Sequence, residues 1–330
     1  MRFLDMPKVE LHTHIDCSLS HETVARLGVD LTPEEYRQNF VAPERCKDLT
    51  EYLACIDPAL KILQTKKALE FAIDGLIAAQ AAENVLYAEL RFAPHLHLER
   101  GLGLDDVMET VLQAIRISGS RYNVECGLIL CTLRHFTEQQ SLEVADLTLR
   151  FADQGVVALD LAGDEANYPI APNIAAFKQV REAGGNVIAH AGEASGADSV
   201  LETLDLLQAK RIGHGVRSVE DMALVERIVA EGLHLEICPS CNIQTGIFSD
   251  ITRHSLPRLL DSGVNISLNT DGRATNGASL SSEYQLVSDA FGWSDHIILD
   301  LNRNALNASF ASDRVKSSVN SQIDDYEAQL

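Results

Sequence analysis

The sequence has no stretch of about 18 uninterrupted apolar residues, so it lacks a segment that would cross a bilayer as a helix. Its opening, Met1-Arg2-Phe3-Leu4-Asp5-Met6-Pro7-Lys8, lacks the long apolar core of a secretory leader. Both absences point to a cytoplasmic protein. Positive charge is also scarce: 27 Lys plus Arg stand against 48 Asp plus Glu, a formal net charge of -21. Such a chain repels phosphate backbones, which excludes nucleic acid and anionic membrane as partners and leaves small molecules. The cysteines are few and odd in number, seven, and Cys126 and Cys131 fall inside apolar runs, which fits reduced core thiols better than a disulfide framework. Gly101-Leu102-Gly103 lacks the third glycine of a dinucleotide fingerprint, and no phosphate loop is present. No repeat, low-complexity tract or linker marks a boundary, so residues 1–330 read as one domain.

What is present is ordinary globular material: 46% hydrophobic and 23% charged residues, enough for a substantial core. Apolar, β-branched runs of strand length recur at Val9 to His12, Val85 to Phe92, Val124 to Cys131, Val156 to Leu161, Val187 to Ala189, Arg211 to Gly213, Leu233 to Cys238 and Val264 to Leu268. Between most of them apolar residues return every three or four positions, as in Leu104, Val107, Val111 and Ile115, the helical period. Alternating strands and helices predict a parallel sheet covered on both faces. Polar signatures close the first, fifth, sixth and eighth runs, and only a closed barrel brings first and last strands to one mouth. The expected fold is therefore α/β, a (β/α)₈ TIM barrel with extra helices after strand 1 and at the C-terminus. Residues 18 to 82 are too long for one crossover, and the part near Lys47 to Asp57 is expected to form a lid. The polar residues from about Ser317 onward are expected to fray.

The signatures are His12-Thr13-His14-Ile15-Asp16, His190-Ala191-Gly192-Glu193, Gly213-His214-Gly215 and Asn269-Thr270-Asp271. Side chains two apart on a strand share a face, so His12 and His14 present two imidazoles to one point. With His190 and Asp271 they form a nitrogen-rich set with one carboxylate, which suits one Zn²⁺ per chain and leaves room for water. Taken singly, each histidine reads better as a core or surface residue; four at barrel strand ends read as a metal site. His214 is then placed as base or orienting group for the water. Glu193, three residues past His190, is either a desolvated proton donor or a glutamate at a helix N-terminus, and both roles are compatible. His95, His97 and His135, at or near strand ends, have two readings, residues lining the mouth and solvated loop histidines, of which the second is the commoner.

These residues resemble the adenosine deaminase family of purine-ring zinc hydrolases over nearly the whole chain. Pro7-Lys8-Val9-Glu10-Leu11-His12-Thr13-His14-Ile15-Asp16 resembles the family's opening strand and Asp160-Leu161-Ala162-Gly163-Asp164-Glu165 its fourth-strand motif. His190 to Glu193, Arg211 to Val216, Leu235 to Gly246 and Leu268 to Asp271 follow in family order. The resemblance implies a zinc held by His12, His14, His190 and Asp271 and a hydroxide positioned by His214 and Asp271. It makes Glu193 the proton donor to purine N1 and assigns the Gly163 N–H to N3. His14, Asp16, Gly163 and the position of Gly272 are then the substrate contacts, Asp16 facing a sugar hydroxyl as in nucleoside-using members. The implied reaction is hydrolytic deamination at C6, giving a 6-oxopurine and ammonia.

Two positions depart from the family pattern: Gly272 stands where a second aspartate contacts N7, and Cys17 where glycine is usual. Losing a hydrogen bond to a charged acceptor costs about 1.5–3 kcal/mol, enough to shift substrate preference without abolishing turnover. The expected substrate is accordingly adenosine or an analogue modified at the base, N9 substituent or N6, aminodeoxyfutalosine among them. The alternatives are a zinc hydrolase of another C–N or ester bond, and a catalytically silent barrel that binds a ligand. His234-Leu235-Glu236 with Cys238-Pro239-Ser240-Cys241 superficially resembles the signature of cytidine-type zinc deaminases, but the elements are nearly contiguous on one apolar run rather than opening separate helices. Cys238 and Cys241 therefore read as core residues.

Overall fold

β1 (Lys8–His14) pairs in parallel with β2 (Val85–Phe92), and six further parallel strands follow in sequence order: β3 (Glu125–Leu133), β4 (Val156–Ala162), β5 (Val187–Ala191), β6 (Arg211–His214), β7 (His234–Ile237) and β8 (Asn265–Leu268). The computed structural model describes residues 2–330. Closure is made just past β8, where the Asp271 N–H donates to the His12 carbonyl and the Asp271 carbonyl accepts from the His14 N–H, both at 2.9 Å. The same two bonds set Asp271 between the two histidines of β1. The fold is the (β/α)₈ barrel that the alternating pattern implies.

The long segment after β1 folds into α1 (His21–Arg26), α2 (Pro33–Phe40), α3 (Leu49–Ala54), α4 (Asp57–Ile62) and α5 (Lys66–Ala81). Each begins where its sequence allows: Thr32 and Glu35 form a capping box on α2, Asp48 caps α3 and Thr65 caps α5. α5 buries Leu69, Ile73, Leu76 and Ile77, one face of a 3.6-residue repeat. The barrel's outer helices continue with α6 (Leu104–Tyr122), α7 (Glu138–Arg150), α8 (Ile174–Glu182), α9 (Ala197–Leu206), α10 (Met222–Ala230), α11 (Pro239–Gln244) and α12 (Leu256–Asp261). After β8 come α13 (Arg273–Asn276), α14 (Leu280–Phe291), α15 (Asp295–Ala308) and α16 (Asp313–Glu327).

α16 corrects the expectation of fraying. Ser312 caps it, Val315, Val319 and Ile323 lie buried at four-residue spacing, and Arg303 of α15 pairs with Asp324 at 2.8 Å and Glu327 at 2.5 Å. Three apolar residues on one stripe outweigh a polar average composition.

Inside the barrel, beneath the mouth, lies a charged layer. Arg91 is fully buried and donates to Asp160 at 2.9 Å and Glu236 at 2.7 Å, while Arg211 pairs with Glu236 and, at 2.7 Å, with Glu89. Phe310, from the segment after α15, packs against Ile129, Ala158 and Ile188 and under the Arg211 guanidinium. Buried charges persist where they are paired and hydrogen-bonded, and here they hold the next layer up.

Candidate active site and metal centre

Strand alternation turns His12 and His14 to the same side, and the buried carboxylates below orient the rings. His12 Nδ1 lies 3.0 Å from Glu236 Oε2, and His190 Nδ1 lies 3.2 Å from Asp160 Oδ1 and 3.1 Å from the Leu161 carbonyl. With the Nδ1 atoms engaged, each ring turns Nε2 to the mouth. His12 Nε2 is buried and has no hydrogen-bond partner. His14 Nε2 and His190 Nε2 are 3.3 Å apart, and Asp271 Oδ1 lies 3.5 Å from His14 Nε2 and 3.7 Å from His12 Nε2. An ion with bonds of about 2.0–2.1 Å spaces its ligands by about this much, so the donor set and the orphaned nitrogen fit zinc. Gly213 makes the arrangement possible: a Cβ there would sit 3.0 Å from His12 Cε1 and 3.2 Å from His190 Cγ.

His214 and Asp271 both have positive φ, 61° and 58°, an uncommon conformation for side-chain-bearing residues that recurs at functional sites. It aims them together: His214 Nε2 lies 3.9 Å from Asp271 Oδ2 and 3.6 Å from Glu193 Oε2. Asp271 thus turns one oxygen to the histidines of β1 and the other to His214.

Glu193 is buried, and its pKa is pushed well above the usual carboxylate range by burial first, then by the charges of Asp271 and Glu165. Burial of this kind favours the protonated form of the carboxyl. Its backbone is anchored by Glu165, which accepts from the N–H groups of Gly192 at 2.7 Å, Glu193 at 3.0 Å and Ser195 at 2.9 Å. α9 starts only at Ala197, so Glu193 precedes the helix rather than sitting in its first turn.

The site opens into a cavity of about 410 Å³, a size typical of small-molecule pockets. His14, Asp16, Gly163, His190, Glu193, His214 and Asp271 line it, while Leu49, Leu53, Ile56 and Leu60 of the α3–α4 region roof it. The segment expected to form a lid occupies that place. Gly163 has φ +94°, a conformation that favours glycine and lets the backbone approach a ligand closely. Asp16 Oδ1 is buried without a partner, and burial raises the Asp16 pKa to about 6.

Two residues sit differently from their sequence readings. Gly272 lies outside the cavity lining, because Cys17 and Tyr52 stand where its side chain would point. His97 is fully buried, with Nδ1 2.8 Å from the Leu63 carbonyl, rather than solvated. Missed altogether were the groups behind the site: Arg91, Glu165, Glu236 and Asn242. A charge inside an apolar strand run, as in Leu235-Glu236-Ile237, was the available signal.

Comparison with known proteins resolves the family. The profile described as adenosine deaminase matches residues 7–326. The chain belongs to the adenosine deaminase family. It is 35% identical over 334 residues to an adenosine deaminase of Clostridium botulinum strain Langeland, covering 98% of each chain. Among solved structures, an adenine deaminase from Arthrobacter aurescens superposes with a TM-score of 0.90 at 29% identity, covering 98% of this chain and 99% of that one. An Arabidopsis ADAL protein crystallised with IMP gives 0.87 at 27% identity, with 98% of each covered. As a member of the adenosine deaminase family, the protein is a hydrolytic aminohydrolase.

Proposed function

We propose that this aminohydrolase is zinc-dependent and deaminates C6 of a 6-aminopurine nucleoside, with one zinc held by His12, His14, His190 and Asp271. The observation that carries the reading is the convergence of those four donors with a buried Glu193, whose pKa burial raises, and with His214. When bound, zinc supplies Lewis-acid activation of water near neutral pH. The protein's own groups do the rest. His214 holds the attacking water against the ring, and Asp271 Oδ2, the oxygen facing His214, receives the water's proton. Glu193 gives its proton to ring N1 as oxygen adds at C6. The C6–N6 bond then breaks, the amine leaving as ammonia with the proton returned by Asp271, while the added hydroxyl gives up its remaining proton as the C6=O bond forms, replacing the one Glu193 gave and leaving the 6-oxopurine. Gly163 offers its backbone to N3, and the unpartnered Asp16 oxygen suits a sugar hydroxyl.

The cavity favours a nucleoside over a nucleotide. Among the described residues no lysine or arginine lines it, whereas Asp16, Asp57 and Asp164 do, besides Glu193 and Asp271 of the reaction centre. A phosphate there would meet these carboxylates without a lysine or arginine to compensate, although the Arabidopsis relative was crystallised with IMP. The apolar roof of Leu53, Ile56 and Leu60, with Leu96, suits a neutral substituent beyond the ribose. The test is ammonia release by zinc-loaded protein from adenosine, deoxyadenosine, adenine, AMP, N6-substituted adenosines and aminodeoxyfutalosine. Nucleosides should exceed AMP in kcat/KM by about a hundredfold or more, a difference of at least about 2.7 kcal/mol. Preference for AMP would overturn the nucleoside assignment, and silence on every compound would overturn the deaminase.

A further inference from the structure

We propose that Asn242 and His254 are positioning residues that lock His214 in the tautomer carrying its proton on Nε2. The three side chains form a buried chain leading away from the site, and its far end is fixed by a backbone group whose polarity is unambiguous. The Leu256 N–H donates to His254 Nδ1 at 3.0 Å. It is one of the free amides of the first turn of α12, so it has no competing intrahelical acceptor.

From that bond the remaining hydrogens follow in order. A His254 Nδ1 that accepts a hydrogen bond carries no proton, so the neutral ring bears its hydrogen on Nε2. That Nε2 lies 3.3 Å from Asn242 Oδ1, a donor facing an acceptor. The Asn242 amide therefore turns its oxygen to His254 and its NH₂ the other way, 3.0 Å from His214 Nδ1. An amide NH₂ can only donate, so His214 Nδ1 accepts and carries no proton. Its single hydrogen sits on Nε2, the atom 3.6 Å from Glu193 Oε2 and 3.9 Å from Asp271 Oδ2. Burial keeps all three residues from exchanging these partners for solvent, since His214, Asn242 and His254 are 1%, 0% and 5% exposed. Phe248 packs on the His254 ring, with centroids 4.4 Å apart, and holds its plane.

The consequence is chemical. Neither nitrogen of His214 is open to the water's proton, because Nε2 already bears hydrogen and Nδ1 is occupied by Asn242. His214 therefore acts as a hydrogen-bond donor to the attacking oxygen, and the proton goes to Asp271. Between base and orienting group, the two roles open to His214 from sequence, the relay selects the second.

Two substitutions separate polarity from packing. Asn242→Asp keeps the shape but replaces the NH₂ with an acceptor, so His214 must carry its proton on Nδ1 and present a bare Nε2. His254→Gln keeps the polarity: its carbonyl accepts from the Leu256 N–H and its NH₂ donates to Asn242 Oδ1. The inference rests on the deaminase reading for its kinetic arm alone, and the tautomer is read independently by ¹⁵N NMR of histidine-labelled, zinc-loaded protein. His214 is assigned by the signal lost in His214→Gln.

In the unsubstituted protein His214 should show a protonated Nε2 and an unprotonated Nδ1. Asn242→Asp should exchange the two and lower kcat by about 10²–10⁴-fold with KM within about threefold. His254→Gln should keep the tautomer and stay within about fivefold of the parent kcat. A protonated His214 Nδ1 in the unsubstituted protein would overturn the relay whether or not any substrate is turned over or any variant folds. Unchanged tautomer and kcat in a folded Asn242→Asp would overturn it equally.

Discussion

Position 272 offers the sharpest test of how the site is packed. A Cβ added to Gly272 would lie 2.7 Å from Cys17 Cβ, 3.1 Å from the Tyr52 hydroxyl and 3.3 Å from the Cys17 carbonyl. Carbon atoms pack best at about 3.5–4.0 Å, so Gly272→Ala forces a shift of about 1 Å at a wall whose members are buried and hydrogen-bonded. Tyr52 cannot yield easily, because its hydroxyl donates to Asn276 Oδ1 at 2.6 Å. Overpacking of this kind costs about 1–3 kcal/mol. The backbone itself adds no strain, since Gly272 has φ −99°, and the lost chain freedom of glycine returns about 0.4–1 kcal/mol. Gly272→Ala should therefore destabilise by about 0.5–2 kcal/mol. With Cys17→Gly the obstructing Cβ is gone, and the same change should become neutral or stabilising. The double-mutant cycle, read by urea unfolding of the four zinc-saturated proteins, should give a coupling of about 1–3 kcal/mol. A coupling under about 0.5 kcal/mol would refute the idea that Cys17 fills the space a side chain at 272 would need.

Glu193→Gln should lower kcat by about 10²–10⁴-fold while leaving zinc content unchanged, measured by steady-state kinetics and metal analysis; a loss under tenfold would contradict its role as proton donor. Arg91→Met leaves Asp160 and Glu236 buried without their shared guanidinium. Zinc affinity, measured by chelator competition, should fall about 10–100-fold with about 3–5 kcal/mol lost in stability, and unchanged affinity would contradict the ring-orienting role of the layer. His234 has its pKa lowered to about 4 by burial first and then by Arg211, and burial lowers that of His254 to about 3. Both folded values lie below the unfolded one near 6.5, so the neutral forms stabilise the fold above that pH, and stability is lost as pH falls towards 4. Each should cost about 2 kcal/mol by pH 5, seen in urea midpoints, and a His234→Gln variant with an unaltered pH slope between 7.5 and 5 would contradict the assignment.

Much of this was legible in the sequence because barrel strands announce themselves. β2 matched its expected limits, and the other strands shifted by a few residues at their ends: β1 extends to His14 and β3 to Leu133. The His12–His14 spacing was readable because strand periodicity alone puts both on one face. The groups behind them were not, since Glu236 reaches His12 from β7 and Asp160 reaches His190 from β4, pairings that only the closed register creates. Gly272 was misplaced for a related reason: chain adjacency to Asp271 says nothing of the Cys17 side chain, contributed by the far end of the sequence. The extra C-terminal helices were legible, but the order of α16 beyond Ser317 was not, because its polar residues mask the three stripe positions Val315, Val319 and Ile323.

Metal-dependent deamination is the central claim, and one measurement reaches it directly: bound metal, ammonia and 6-oxopurine quantified together on the purified protein with adenosine, before and after chelation. About one zinc per chain, ammonia and oxopurine formed in equal amounts, activity lost on chelation and restored by zinc is the expected result. Undiminished turnover by metal-free protein, or none by protein with its zinc site full on adenosine and its neutral analogues, would contradict it.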